Sequence, residues 1–136
     1  MSRMSRMKAG DVLPPLEIEV TRTLIVAGAL ASRDYQDVHH DPDLAVARGS
    51  KDIFMNILTS NALAERYVVD WAGPAARVRR IRVRLGAPNY PGDTMVLRGE
   101  VAAVDGDRVE VAVRGENSLG VHLSGSVTVE IPGEQR

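Results

Sequence analysis

An acid and an imidazole stand five residues apart, Asp34 and His39, inside the stretch RDYQDVHHDPD (residues 33–43). On a backbone that is not helical, that separation lets a carboxylate and an imidazole converge on one point. Together they can hold a water, take its proton and return one to a neighbouring atom. As a bare pattern, D-x4-H also arises by chance, and four aspartates in eleven positions read equally well as a solvated loop. The two adjacent histidines raise the further option of a metal. Neighbouring side chains leave most backbones in different directions, so His39 and His40 do not chelate one ion, and Asp41 and the remote His122 would have to be supplied by the fold. No metal site is expected.

The second concentration of charge is basic. Arg77, Arg79, Arg80, Arg82 and Arg84 fall within eight positions, and no acid occurs from Trp71 to Gly92. In a strand, Arg80, Arg82 and Arg84 share one face while Ile81, Val83 and Leu85 fill the other. A solvated sheet face is the simplest reading, and arginine forks matching coenzyme phosphates are the next. A nucleic-acid surface would want interleaved aromatic residues for stacking, and these make up only 4% of the chain.

Several elements must position these residues. LEIEV (Leu16 to Val20) alternates as a half-buried strand. TLIVAGALAS follows at helical spacing with Thr23 as its cap. Asp41-Pro42 makes a turn, and a short helical piece from Leu44 to Ala47 closes at Gly49. DIFMNILTSNALAERYVVDW is the longest helical pattern, expected to be capped by Asp52, to bury Ile53, Ile57, Ala64 and Val68, and to end at Gly73-Pro74. Beyond it come RIRVRLG, the turn NYPGDT, TMVLRGEVAAV and RVEVAVRGEN around Asp105-Gly106-Asp107, and HLSGSVTVEI. One strand, one long helix and four consecutive strands predict an α+β fold: an antiparallel sheet wrapped around a central helix, the hotdog arrangement.

Composition sets the outer bounds. With 136 residues and 44% hydrophobic residues the chain suits one domain. A net charge of -1 gives no general attraction to nucleic acid or anionic membrane, and the absence of cysteine removes disulfides and thiolate chemistry. No run approaches the roughly 18 apolar residues of a membrane span. The N-terminal MSRMSRMKAGDV lacks the apolar core of a signal peptide, and Met1, Met4 and Met7 are alternative starts. The expected layout is a disordered leader over 1–12, a single domain over 13–132 and a polar tail over 133–136, in a cytoplasmic protein.

The segment ASRDYQDVHHDPDLAVARGS resembles the signature of the MaoC-like, R-specific enoyl-CoA hydratases, with Ser32, Asp34, His39, Asp41, Ala45 and Gly49 on matching positions. GAPNYPGDTMVLRGEV is similar to that family's downstream turn, with Pro88, Gly92 and Asp93 in register. There are departures. Gln36-Asp37 stands for the usual Asn-Pro, Arg33 for a glycine, and Asn56-Ile57 for the His-Gly at the start of the long helix. These departures resemble a steroid side-chain branch of the family, whose small catalytic subunit pairs with a second, degenerate MaoC-like subunit.

The resemblance implies hydration of a trans-2-enoyl-CoA, with a steroid acyl group, by Asp34 and His39 acting on one water. The thioester oxygen would meet the N–H of Ile57, a residue whose side chain crowds an approach that glycine leaves open. Asn56, Gly49 and Ser60 would lie at the substrate. Asn56, Thr59 and Ser60 form a polar cluster on an apolar helix, for which simple back-bonding is the alternative. No cofactor is implied beyond the coenzyme A of the substrate, and the implied partner is a second MaoC-like subunit. A hotdog acyl-CoA thioesterase and a non-catalytic assembly subunit are the rival functions.

Overall fold

The chain was analysed as a computed structural model describing residues 7–132. The strand-like stretches form β1 (Val12–Glu19), β2 (Arg77–Leu85), β3 (Thr94–Asp105), β4 (Arg108–Asn117) and β5 (Gly120–Glu130), and the helical ones α1 (Arg22–Ala31), α2 (Pro42–Ala47) and α3 (Ile57–Ala72). A single 3-10 turn covers Asp37–His39. All five strands pair antiparallel in the order β1-β3-β4-β5-β2. Alternation decides which face is buried. Met95, Leu97 and Val101 of β3, Val109, Val111 and Val113 of β4, and Leu123, Val127 and Val129 of β5 point inward. They close over Leu63, Ala64, Tyr67, Val68 and Ala72 of α3. The sheet curls around that helix, so the hotdog fold expected from the order of elements is the one adopted.

The boundaries moved where local chemistry outweighed periodicity. The cap of α1 is Thr21, whose hydroxyl accepts from the Leu24 N–H, and Thr23 lies inside the helix. Helix α2 begins at Pro42, two residues before the expected Leu44, because Asp41 caps it and proline at the first position loses no useful donor. Strand β1 starts at Val12 and absorbs Pro14-Pro15 at a register shift, and β2 starts at Arg77 with a shift beside Arg79. Its Arg80, Arg82 and Arg84 are exposed, alternating with half-buried Ile81, Val83 and Leu85.

The largest correction concerns the long helix. Asp52 does not cap it: residues 52–56 are not helical, with Asp52 in a bend, and Asn56, extended in backbone, is the cap. Ile53 and Met55 are buried from this irregular segment, whereas Ile57, expected inside, is 62% exposed. Asp52 serves elsewhere, accepting the two-pronged guanidinium of Arg22 at 3.1 and 2.8 Å and tying the segment to α1. At the N-terminus, part of the expected leader is in place: Met7 joins the core, and the Gly10 N–H donates to Val101 at 2.8 Å. Residues 1–6 and the tail over 133–136 lie outside the described residues.

Helices α1 and α3 meet at a glycine. A Cβ on Gly28 would stand 2.1 Å from Oγ1 and 2.9 Å from Cγ2 of Thr59, whose hydroxyl is engaged with Asn56. Ala is otherwise the better helix former, so the sign rests on this contact. Gly28→Ala is expected to lower unfolding stability by about 1–3 kcal/mol, and Thr59→Ala in the same chain to recover part of the loss, both read from denaturant unfolding.

Candidate active site

The four aspartates of residues 33–43 separate into one that faces an imidazole and three with structural roles. Asp37 takes both prongs of Arg48 at 2.8 Å, and that hydrogen-bonded guanidinium holds its carboxyl below the usual range. Asp41 caps α2 through the Leu44 N–H at 3.1 Å. Asp43 sits in the first turn of α2, where a negative charge suits the helix dipole. Asp34 remains, with Oδ2 at 3.5 Å from Nε2 of His39.

Two features place Asp34. Its N–H donates to the Ala29 carbonyl at 2.9 Å, which wraps the chain around the end of α1. The residue before it, Arg33, has φ 57°, a left-handed conformation that costs an L residue about 1–2 kcal/mol. A glycine would take that turn without strain. The Asp34 side chain keeps 28% exposure, so one side of it stays open.

His39 is buried and fixed by a single residue. Its Nδ1 lies 2.7 Å from the Phe54 carbonyl, and the Phe54 ring meets the imidazole edge-on at 4.9 Å between centroids. A carbonyl only accepts, so Nδ1 carries the proton and donates. In the neutral ring Nε2 then presents a lone pair towards Asp34. Two acceptors at 3.5 Å do not bond directly, but one water between them can donate a hydrogen to each. His40 turns the other way, with Nε2 at 3.1 Å from the Tyr35 carbonyl.

The non-helical segment 52–56 carries this geometry, and both neighbours brace it. The Phe54 N–H donates to Val38 and the Met55 N–H to the carbonyl of Asn89, each at 3.1 Å. Asn89 is fully buried in the NYPGDT turn and receives the Asn117 amide at 2.8 Å. That turn closes on Gly92 (φ 92°) and Asp93, whose carboxylate takes the Ser118 hydroxyl and the Thr94 N–H. Burial would raise the Asp93 pKa, but these donors outweigh it and hold the carboxyl below its usual range. The downstream motif is therefore a brace for the segment beside Asp34 and His39.

The remaining sequence candidates divide. Asn56 is buried at the start of α3, its amide donating to Ser32 Oγ at 2.9 Å and to Asp34 Oδ2 at 3.1 Å. Ile57 supplies the first N–H of α3, with Leu58 next. The Thr59 N–H is taken by Asn56 Oδ1 and the Ser60 N–H by the Asn56 carbonyl. Gly49 (φ 95°) ends α2, its own N–H bonded to Val46, so that donor is spent on the helix end. Ser60 is fully buried and its hydroxyl lies 2.7 Å from Nε2 of His122.

His122, weighed in sequence only as a metal ligand, and Ser32, noted only as a matching position, both bond to members of this cluster. Alternation along HLSGSVTVEI puts His122 on the side of Ser124 and Ser126. At this point, however, β4 and β5 skip a residue: Gly115 pairs with Leu123 and Glu116 with Val121. His122 is left unpaired at the bulge and is buried there. Its Nδ1–H donates to the Ala87 carbonyl at 2.7 Å, which leaves Nε2 to accept from Ser60. An isolated histidine among serines on a strand was the available signal.

The MaoC-like domain family matches residues 7–121. Over 122 residues the chain is 52% identical to the 3-oxo-4,17-pregnadiene-20-carboxyl-CoA hydratase beta subunit of Mycobacterium tuberculosis, covering 90% of this chain and 95% of that protein. A chain of the ChsH1–ChsH2 complex from the same organism superposes with a TM-score of 0.89, 52% identity, and coverage of 91% of this chain and 98% of that one. The R-hydratase PhaJ1 of Pseudomonas aeruginosa shares the fold at 22% identity, with a TM-score of 0.87 over 96% of this chain and 86% of that one.

Burial pushes His122 below the ordinary imidazole range, against the opposite pull of the Ala87 carbonyl. The unfolded imidazole titrates near 6.5, so on acidification the unfolded chain binds this proton first. The stability tied to a neutral His122 is complete above about pH 6.5 and is lost as pH falls towards the lower folded value. His122→Gln, which cannot be protonated, should flatten the fall in stability between about pH 7 and 5 by a slope of at most about 1.4 kcal/mol per pH unit. Urea titrations at several pH values check this.

Proposed function

The chain belongs to the MaoC-like domain family, and on that premise we propose that it is the water-adding subunit of a hydratase for a steroid side-chain enoyl-CoA. The observation that carries the proposal is the approach of Asp34 Oδ2 to His39 Nε2 at 3.5 Å, with the imidazole tautomer set by Phe54. A water donating to both acceptors keeps its oxygen lone pair free to attack C3 of the enoyl group. The C3–O bond forms as the C2=C3 electrons move onto the thioester oxygen. The water loses a proton to the His39–Asp34 pair, and the pair returns one to C2 as the enolate collapses. The sum is one water across one double bond, and the coenzyme A enters as part of the substrate.

The enolate needs fixed donors that cost no reorganisation. The N–H groups of Ile57 and Leu58 come before the first bonds of α3, at the positive end of its dipole. The Ile57 side chain stands on the exposed side, so the backbone donor is the part proposed to meet the thioester. The steroid acyl group is proposed from the chain's likeness to the pregnadiene-carboxyl-CoA hydratase beta subunit.

A second subunit is proposed from the ChsH1–ChsH2 likeness together with the open edge of the sheet. Strand β2 ends the sheet, and Ile81, Val83 and Leu85 are only half-covered. Ile57 and Leu58 stand exposed at the start of α3. A groove lined by Asn61, Ile81 and Val83 lies beside that edge. A homologous partner adding its sheet there would cover apolar surface and pair the open strand.

Three measurements follow. Asp34→Asn and His39→Ala should each lower the hydration rate by about 10²–10⁴-fold. Asp34→Asn should change the melting temperature little, whereas His39→Ala should also lower it, because it leaves the Phe54 carbonyl without its donor and a gap beside the Phe54 ring. The double variant should lose far less than the product, because the two groups act on one water. His40→Ala should be much milder. Loss of enoyl absorbance with no free thiol released separates hydration from thioester hydrolysis. In sedimentation, full activity should travel with an assembly of at least two hotdog units, and a fully active monomer would overturn the proposed partner.

A further inference from the structure

We infer that Asn56 is a positioning residue that aims the Asp34 carboxylate, and that it is not a ligand of the substrate. The inference rests on the hydratase reading above. A side-chain amide has two N–H donors and an oxygen with two acceptor directions, and in Asn56 all four are occupied within the protein. Nδ2 donates to Ser32 Oγ at 2.9 Å and to Asp34 Oδ2 at 3.1 Å. Oδ1 accepts from the Thr59 N–H at 3.1 Å and from the Thr59 hydroxyl at 2.5 Å. The residue is 1% exposed.

The orientation of the amide is not ambiguous. Turned over, its oxygen would face a carboxylate and its NH2 would face the Thr59 N–H, like against like on both sides. Ser32 is ready as an acceptor because its own hydroxyl donates to the Gly28 carbonyl at 2.7 Å. With no side-chain donor left over, the Asn56 amide has nothing to offer a thioester oxygen. What it supplies is a rigid donor to Asp34. The other hydrogen bond that this carboxylate accepts, from the Gln36 N–H, is long at 3.4 Å. The oxygen gripped by Asn56, Oδ2, is the one that approaches His39. Asn56 thus ties the start of α3 to the direction in which Asp34 presents its oxygen.

Asn56→Asp is the informative variant. Aspartate has the same shape and is an equally good N-cap, so the Thr59 bonds and the fold survive while the donor to Asp34 becomes an acceptor. In the purified enzyme, with its partner subunit where the two co-purify, kcat should fall by about 10–100-fold with KM changed less than about threefold. The variant should regain activity relative to wild type as pH falls, because two facing carboxyls share a proton that restores a donor. Its melting temperature should fall at pH 8, where two carboxylates face each other at a buried position, and recover towards that of wild type as pH falls and the pair takes up a proton. A crystal structure of the variant at pH 8 is the arm independent of activity: the Asp34 carboxylate should have turned away from His39, beyond the present 3.5 Å. An unmoved Asp34 with wild-type kcat, or a raised KM at wild-type kcat, overturns the inference. If the unaltered enzyme fails to hydrate any enoyl-CoA while Asp34 still turns away in the variant, the hydratase reading falls and the positioning role stands.

Discussion

The site depends on five residues refusing to be helical. Residues 52–56 continue a helical pattern in sequence, yet they are not helical, and bonds they make in that form hold the segment beside His39 and Asp34. The Phe54 carbonyl lies at His39 and its N–H donates to Val38, while the Met55 N–H donates to Asn89. Had the helix begun at Asp52, the Phe54 carbonyl would have been spent on an intrahelical bond, and the Phe54 and Met55 N–H groups, among the unbonded donors of a first turn, would have pointed back towards the cap. His39 would have lost the partner that sets its tautomer, and Asp34 the amide that faces it. The cost of leaving helix is offset by burying Ile53 and Met55 and by the Arg22–Asp52 fork.

The fold could be read from sequence because it rests on local signals, and the approach of Asp34 to His39 could be anticipated from their spacing once the segment's resemblance to a known family was added to it. Alternation in β2 to β5, the length of α3 and the D-x4-H spacing depend on neighbours a few residues away. What could not be read were interactions between distant segments. The choice of Asn56 over Asp52 as cap depends on Val38 and Asn89, which lie 16 residues before Phe54 and 34 after Met55. Both residues are good caps, and periodicity alone favoured the longer helix. Ile57 was assigned to the buried face for the same reason, and its exposure follows from the shift in where the helix starts. His122 escaped because a one-residue skip between β4 and β5 reverses the side it faces, and a skip leaves no mark in the alternation. Arg33 is the opposite case: a departure from glycine seen in sequence falls at a left-handed φ.

The buried polar residues share a logic. His39, Asn56, Thr59, Ser60, Asn89 and His122 are all nearly inaccessible, and each has a partner of matching sense. Among the described residues no buried side-chain nitrogen or oxygen lacks a hydrogen bond. In a low-dielectric interior an unpaired polar group is costly, so such a set resists rotation of any one member. Rigidity of this kind holds Asp34 and His39 at a fixed separation.

The unpaired side of β2 bears on how the chain lives in a cell. Its ladder of N–H and C=O groups faces outward, and whatever covers it binds the folded chain and not the unfolded one. Stability then follows mass action: it rises with the concentration of the covering subunit and falls when synthesis of the two is unbalanced. The natural remedy is stoichiometric production, with each chain acting as a folding sink for the other. An excess of this chain alone would keep its β2 edge bare, an open strand of the kind that templates pairing with other chains.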